Sequence, residues 1–328
     1  MGAHEARAHL VDPEVAHAAQ VRELAAAGVL RDPAWRAAFA AVPRHLFVPW
    51  FWTGRGAGHE RLWCEDPDPE RRARWLRGVY ADEPLVTRIR DGELLSSSSQ
   101  PSLMAKMLHA LDVRDGDDVL EIGAGTGYNA ALLCHRLGDE HVTTVELDEE
   151  IAESARTHLA GLGFHPAVVT GDGARGCPAR APFDRILVTC GLPRIPPAWL
   201  AQCRPGARIL GPLSTGLIAL EVRDAGLAEG RFLHNPAYFV PLRGAGAAPA
   251  GPAGGVPYEL LENDRFQFML MLTAGALHPR EALDLWRREG RPGRERFGVT
   301  VTPEGQWSWL DDPQGPYVWP LGEEGAGS

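Results

Sequence analysis

Residues Val119-Leu120-Glu121-Ile122-Gly123-Ala124-Gly125-Thr126-Gly127 read as an apolar strand running into a glycine-rich turn. Such glycines permit a tight strand-to-helix turn and let a ligand lie against bare backbone at the carboxyl end of a sheet. Tyr128 stands where a dinucleotide fold wants its third glycine, so Gly-x-Gly-x-x-Gly fails and a pyrophosphate site is disfavoured. Around this stretch, strands are expected at 118–122, 141–146, 165–170, 184–189, 207–213 and 217–223. Helices are expected at 128–137, 149–161 and 197–203. The alternation predicts an α/β fold built on a doubly wound, largely parallel sheet.

Acidic residues end the strands that follow. Glu146 lies 23 residues after Gly123, where a carboxylate can accept two ribose hydroxyls, and Asp172 sits in Gly171-Asp172-Gly173, where it can receive an adenine amino group. Each feature alone is ordinary: a glycine turn, a solvated strand end, a turn aspartate. In order, at the ends of three consecutive strands, they point to S-adenosylmethionine, with Glu121, Gly123, Gly125, Gly127, Glu146, Asp172 and Gly173 as the cofactor-binding residues.

Composition narrows the rest. The chain has 328 residues, enough for a full core and a smaller addition, and 33 basic against 43 acidic residues give a net charge of −10. That balance argues against a nucleic-acid partner, which needs a basic face. Cys64, Cys134, Cys177, Cys190 and Cys203 are odd in number and lack metal-ligand spacing, so no metal is expected and reduced thiols fit a cytoplasmic protein. No apolar run approaches the ~20 residues of a membrane span, and the first residues carry charges rather than a signal-peptide core. A monomer is expected.

Amphipathic helices are expected at 14–27 and 33–41, the second with Asp32 as N-cap and Pro33 at its first position. Residues 53–78 read as a long polar insertion, either a lid or disorder, ending in an arginine-rich turn of helix. Residues 244–255, rich in Gly, Ala and Pro, read as a linker. Beyond it come an apolar segment at 266–277, a helix near 279–289 and a hairpin over 297–310 turning at Pro303-Glu304-Gly305. This divides the chain into 1–112 (helical cap, insertion and serine loop), 113–243 (cofactor core), 244–255 (linker) and 256–328 (accessory domain for substrate recognition). Of ten tryptophans only Trp199 lies inside the 118–222 sheet, and the others suit either a peptide-binding surface or a small accessory core. His59 and His109 are isolated and read as bland.

For the acceptor, Ser96-Ser97-Ser98-Ser99 precedes Gln100-Pro101, which favours a helix start. Serines at a helix N-terminus can hold an anion with hydroxyls and free N–H groups, or can be a flexible loop with one cap. Here the chain resembles the protein-L-isoaspartate O-methyltransferase family. The resemblance rests on Pro43-Arg44-His45-x-Phe47-Val48-Pro49, Ser99-Gln100-Pro101, the 119–128 stretch, Gly171-Asp172-Gly173 and Ala181-Pro182-Phe183-Asp184, in that family's order. It implies a Rossmann-like class I methyltransferase sheet with an N-terminal helical cap and a small C-terminal α+β accessory domain. It also implies Ser99 as the residue holding the acceptor carboxylate, with Ser97 and Ser98 beside it as catalytic candidates. Repair enzymes of that family are taken as little more than the core. Tyr80-x-Asp82-Glu83-Pro84-Leu85-Val86-Thr87 and Pro196-Pro197-Ala198-Trp199-Leu200 are further similar to a branch that works beside ATP-grasp ligases. That branch implies a modified precursor peptide (a graspetide) as substrate, methylated on an aspartate and ending as aspartimide or isoaspartate. The alternative is an isoaspartate repair enzyme with an added domain.

Overall fold

The structure, a computed structural model, describes residues 12–54, 59–242, 256–257, 260 and 262–321. They fall into two compact units, Met1–Asp115 with Ala124–Val168, and Gly116–Gly123 with Val169–Ser328. The expected linker at 244–255 and the first residues of the chain lie outside the described residues.

In the first unit, α1 (Pro13–Ala26) and α2 (Pro33–Ala41) each start on an aspartate cap followed by proline. Asp12 accepts from Glu14 N and Asp32 from Ala34 N, satisfying amides that a helix start leaves orphaned. The 53–78 segment, expected as a lid or disorder ending in an arginine-rich turn of helix, is largely ordered, with residues 55–58 outside the description. It supplies β2 (Glu60–Trp63), paired antiparallel with β1 (Trp50–Thr53), and α3 (Pro69–Tyr80). Two things hold it. Phe51, Leu62, Trp75, Leu76 and Val79 bury together, and the charges that made it look solvated pair with one another. Arg71 bonds Asp66 at 2.7 Å and also Glu60, while Arg74 bonds Glu60 at 2.7 Å. Asp68-Pro69 is the same helix-start signal as Asp32-Pro33.

β3 (Leu85–Arg90) and β4 (Glu93–Ser98) form a hairpin, and the small sheet runs β2-β1-β3-β4. The serine run is therefore mostly strand, with α4 (Pro101–Leu111) beginning after Gln100. In the second unit lies β5 (Val119–Ile122). The first unit goes on with α5 (Tyr128–Leu137), β6 (Val142–Glu146) and α6 (Glu149–Gly161), and β7 (Ala167–Thr170) follows.

The second unit carries β8 (Phe183–Val188), α7 (Pro197–Leu200), β9 (Cys203–Leu213), β10 (Gly216–Asp224) and β11 (Leu227–Pro236). After these come α8 (Asp264–Leu272), α9 (Pro279–Arg288), β12 (Phe297–Thr302), β13 (Gly305–Leu310) and β14 (Val318–Pro320). The strands lie in the order β14-β13-β12-β11-β10-β9-β8-β5. The pairs β5–β8 and β8–β9 are parallel, and from β9 to β14 every pair is antiparallel, so the sheet continues past the strands expected up to 223 as an antiparallel extension. Turns as short as Ser214-Thr215 join only antiparallel neighbours. β11 was not expected. It lies so close to β10 that a Cβ on Gly230 would come within 1.8 Å of the Ala219 carbonyl oxygen.

The C-terminal residues extend this sheet through β12, which pairs with β11. Two buried polar side chains tie them in. Gln306 bonds both N (2.9 Å) and O (2.5 Å) of Ile195, and Arg294 bonds Thr215 O (3.1 Å) and Asp264 Oδ1 (2.7 Å).

Candidate active site

Alternation along β4 sorts the serines. Ser96 and Ser98 are buried, and Ser97 and Ser99 are half-buried. Ser96 Oγ accepts from Thr87 Oγ1 at 3.1 Å. Ser98 Oγ accepts from Arg44 Nε at 3.2 Å, so this hydroxyl, expected among the catalytic set, is held inside the unit. Ser97 pairs across the hairpin with Val86.

Arg44 organises the whole segment. It is fully buried, and its guanidinium donates to Ser98 Oγ and to the carbonyls of Val79, Ala81, Glu83, Ser98 and Ser99 at 2.9–3.3 Å. Burial lowers its pKa to about 10, so it stays cationic at neutral pH. The helix start is already occupied too. Asp82 accepts from Ser102 N at 2.8 Å and from Gln100 Nε2 at 3.1 Å. The anion site expected at the amides of α4 is thus partly filled by the chain's own carboxylate. Neither Arg44 nor Asp82 had a signal as a site residue, because their partners lie 18 to 55 residues away along the chain.

Of the expected cofactor residues, Gly125, Gly127 and Glu146 belong to the first unit. Glu146 is buried, accepting from Gly125 N with Oε2 and from Asp148 N with Oε1, both at 3.2 Å. Gly125 (φ +53°) passes close to Ser96 and Ser97, where a Cβ would be 3.6 Å from Ser96 Oγ and from Ser97 O. His158 on α6 supports the same turn. Its Nδ1 lies 2.9 Å from Thr126 O, and because a carbonyl only accepts, Nδ1 carries the proton. Phe47, Trp50, Arg88, Ser96, Gly125 and His158 are among the residues around a cleft of about 430 Å³ in this unit.

Glu121, Gly123, Asp172 and Gly173 belong to the second unit. Glu121 is fully buried on β5. Gly123 has φ +97°, and a Cβ there would sit 2.7 Å from Thr189 Oγ1, which bonds Gly123 O at 2.7 Å. Thr189 follows β8, whose end lies beside that of β5, a position where parallel-sheet ligand sites gather. Gly173 packs on the residue before that glycine, where a Cβ would be 2.7 Å from Ile122 Cγ2. Asp172 caps a short turn by accepting from Ala174 N at 2.9 Å, and its carboxylate is 38 % exposed. Bare backbone held by close packing, with carboxylates at strand ends, fits S-adenosylmethionine in residue type and placement.

Comparison with known proteins agrees. The family described as Protein-L-isoaspartate(D-aspartate) O-methyltransferase (PCMT) matches residues 72–244. Among curated proteins, the chain is 37 % identical to a Rhodopseudomonas palustris protein-L-isoaspartate O-methyltransferase. That match spans 71 % of this chain and 95 % of the relative. It is 36 % identical to the Methanopyrus kandleri protein of the same name, over 68 % of this chain and 89 % of that one. Among solved structures, a protein-L-isoaspartate O-methyltransferase aligns with TM-score 0.62 and 23 % identity, over 90 % of this chain and all of its own. A Plasmodium falciparum structure described as a protein-L-isoaspartate O-methyltransferase, in complex with S-adenosyl-L-homocysteine, aligns with TM-score 0.51 over 69 % of this chain. The fold of the first of these accompanies this chain over 90 % of its length, so at least one protein of that name carries more than the core. The fold is a Rossmann-like class I methyltransferase core with N-terminal helices and a C-terminal α+β extension. The chain belongs to the protein-L-isoaspartate(D-aspartate) O-methyltransferase family and is an S-adenosylmethionine-dependent methyltransferase acting on protein or peptide carboxylates.

Proposed function

We propose that the acceptor is the carboxylate of an isoaspartyl residue in a polypeptide, held by the hydroxyls of Ser97 and Ser99. The observation that carries this reading is the sorting of the serine run. Arg44 fixes the Ser98 hydroxyl and the carbonyls of Ser98 and Ser99, leaving Ser97 and Ser99 half-buried on a segment whose Ser96 Oγ and Ser97 O lie beside Gly125. The names of the curated relatives support the isoaspartyl acceptor.

Bound S-adenosylmethionine supplies an electrophilic methyl group. A carboxylate with pKa ~3.9 is already ionised at neutral pH, so its attack needs no general base. Ser97 and Ser99 then orient one carboxylate oxygen, and the ordered backbone around them reduces the entropy lost on binding. The cofactor is assigned to Gly125, Gly127 and Glu146 of the first unit and to Glu121, Gly123, Asp172 and Gly173 of the second. The product is a methyl ester.

A second reading keeps the chemistry and changes the acceptor to an aspartate in a crosslinked, ribosomally made peptide. Its support is the sequence likeness at residues 80–87 and 196–200 to the branch beside ATP-grasp ligases. Residues 256–328 would then recognise that peptide. Intact-mass spectrometry on three acceptors decides: an isoaspartyl peptide, its aspartyl isomer, and a precursor crosslinked by an ATP-grasp ligase. A methyl adduct mainly on the isoaspartyl peptide is expected. Methylation confined to the crosslinked precursor, followed by loss of methanol as the imide closes, would replace the first reading with the second.

A further inference from the structure

The solvent face of the β1–β2 hairpin has no place in the chemistry above. Its register sets Trp50 opposite Trp63 and Trp52 opposite Arg61, while Phe51 and Leu62 alternate to the other face and join the core. Trp50, Trp52, Trp63 and Arg61 therefore share one face, and the three indoles are half-buried. Most other tryptophans are consumed by packing: Trp35, Trp75, Trp199, Trp286, Trp309 and Trp319 are buried.

Arg61 is built into this face. Its guanidinium carbon lies 4.8 Å from the Trp63 ring centre and 5.5 Å from that of Trp50. Its backbone is pinned by Arg71 Nη2, which donates to Arg61 O at 2.9 Å. Neighbouring arginines are neutralised: Arg71 by Asp66 and Glu60, Arg74 by Glu60, Arg88 by Glu150, and Arg90 by Asp148. Arg61 is in no ion pair among the described residues. A guanidinium laid on indole faces keeps its N–H edge for a planar anion, and little side-chain freedom is left to lose when one binds. The face is also continuous with the site. Trp50 belongs to it and lines the same cleft as Ser96 and Gly125.

We infer that the Trp50–Trp52–Trp63 face with Arg61 is a docking surface for an acidic segment of the acceptor polypeptide, Arg61 pairing with a carboxylate that flanks the methylated residue. Charge complementarity and the shared Trp50 argue for that occupant. The inference rests on the reading that the acceptor is a polypeptide.

Two matched synthetic peptide sets test it. Each contains one isoaspartyl residue, and a single flanking position is glutamate in one set and glutamine in the other. Binding is read by fluorescence anisotropy of labelled peptides, and turnover by mass, for wild type, Arg61→Gln and Arg61→Glu. The variants alter an exposed side chain, and binding of S-adenosylhomocysteine is expected to be unchanged. Wild type is expected to bind a glutamate peptide about fivefold more tightly than its glutamine match, with the gap closing in about 0.5 M salt. Arg61→Gln erases the gap, and Arg61→Glu inverts it. Equal affinity of wild type for both sets overturns the inference, as does a gap that survives in Arg61→Gln. So does loss of self-association in Arg61→Glu with peptide binding intact, which would make the face a contact between copies. A binding gap without methylation of either set would leave the surface standing and refute the isoaspartyl acceptor instead.

Discussion

Replacing Arg44 by alanine is expected to be among the most damaging single changes in the N-terminal unit. The side chain is fully buried and makes six hydrogen bonds, five to carbonyls and one to Ser98 Oγ. A buried acceptor deprived of its donor costs ~1–3 kcal/mol. At the low end of that range, six acceptors lose about 6 kcal/mol, comparable with the ~5–15 kcal/mol that holds a typical domain folded. Arg44→Lys keeps the charge but brings three donors in place of five, so about half of that loss is expected. Urea unfolding by circular dichroism gives the global value, and amide exchange over residues 79–83 and 98–102 gives the local one. Arg44→Lys should fold with faster exchange in both segments and with poorer acceptor turnover than cofactor binding. An Arg44→Ala protein destabilised by less than about 1 kcal/mol, with exchange unchanged in those segments, would refute the reasoning.

Two further outcomes follow from single side chains. Burial and then the neighbouring His17 lower the pKa of His45, whose Nδ1 lies 2.5 Å from Tyr80 Oη. A base with a lowered folded pKa binds protons less readily folded than unfolded, so its stabilisation is complete above about pH 6.5 and declines as pH falls below that. Melting temperatures at about pH 7.5 and pH 5.5 should differ more in wild type than in His45→Gln, and equal differences would contradict the assignment. Gly123→Ala places a Cβ 2.7 Å from Thr189 Oγ1 at φ +97°, so it should cost ~1–2 kcal/mol and weaken binding of S-adenosylhomocysteine at least about tenfold in calorimetry. Unchanged affinity would separate this turn from the cofactor.

What could be read from sequence followed local rules. The glycine stretch lies where expected, and α4, α5, α6 and the hairpin at 297–310 match within a few residues, because strand ends, proline starts and turn residues are short-range signals. What escaped depends on distant partners. The serine run reads as loop because Arg88, Arg90, Glu93 and four serines give no apolar alternation. It becomes strand only by pairing with β3, through register shifts at Arg88. The 53–78 segment looked solvated because nothing in its spacing tells Arg71 that Glu60 and Asp66 are its neighbours. Arg44 was visible as part of a motif, while its role lies in five carbonyls that carry no side-chain signature.

The central claim is that the hydroxyls of Ser97 and Ser99 hold the acceptor and leave the cofactor to the glycine turn. Ser99→Ala tests it most directly, with methyl transfer to an isoaspartyl peptide and binding of S-adenosylhomocysteine measured on the same preparation. A fall in turnover of about a hundredfold with cofactor affinity within about twofold of wild type is predicted. Turnover near that of wild type, or parallel loss of both quantities, would contradict it.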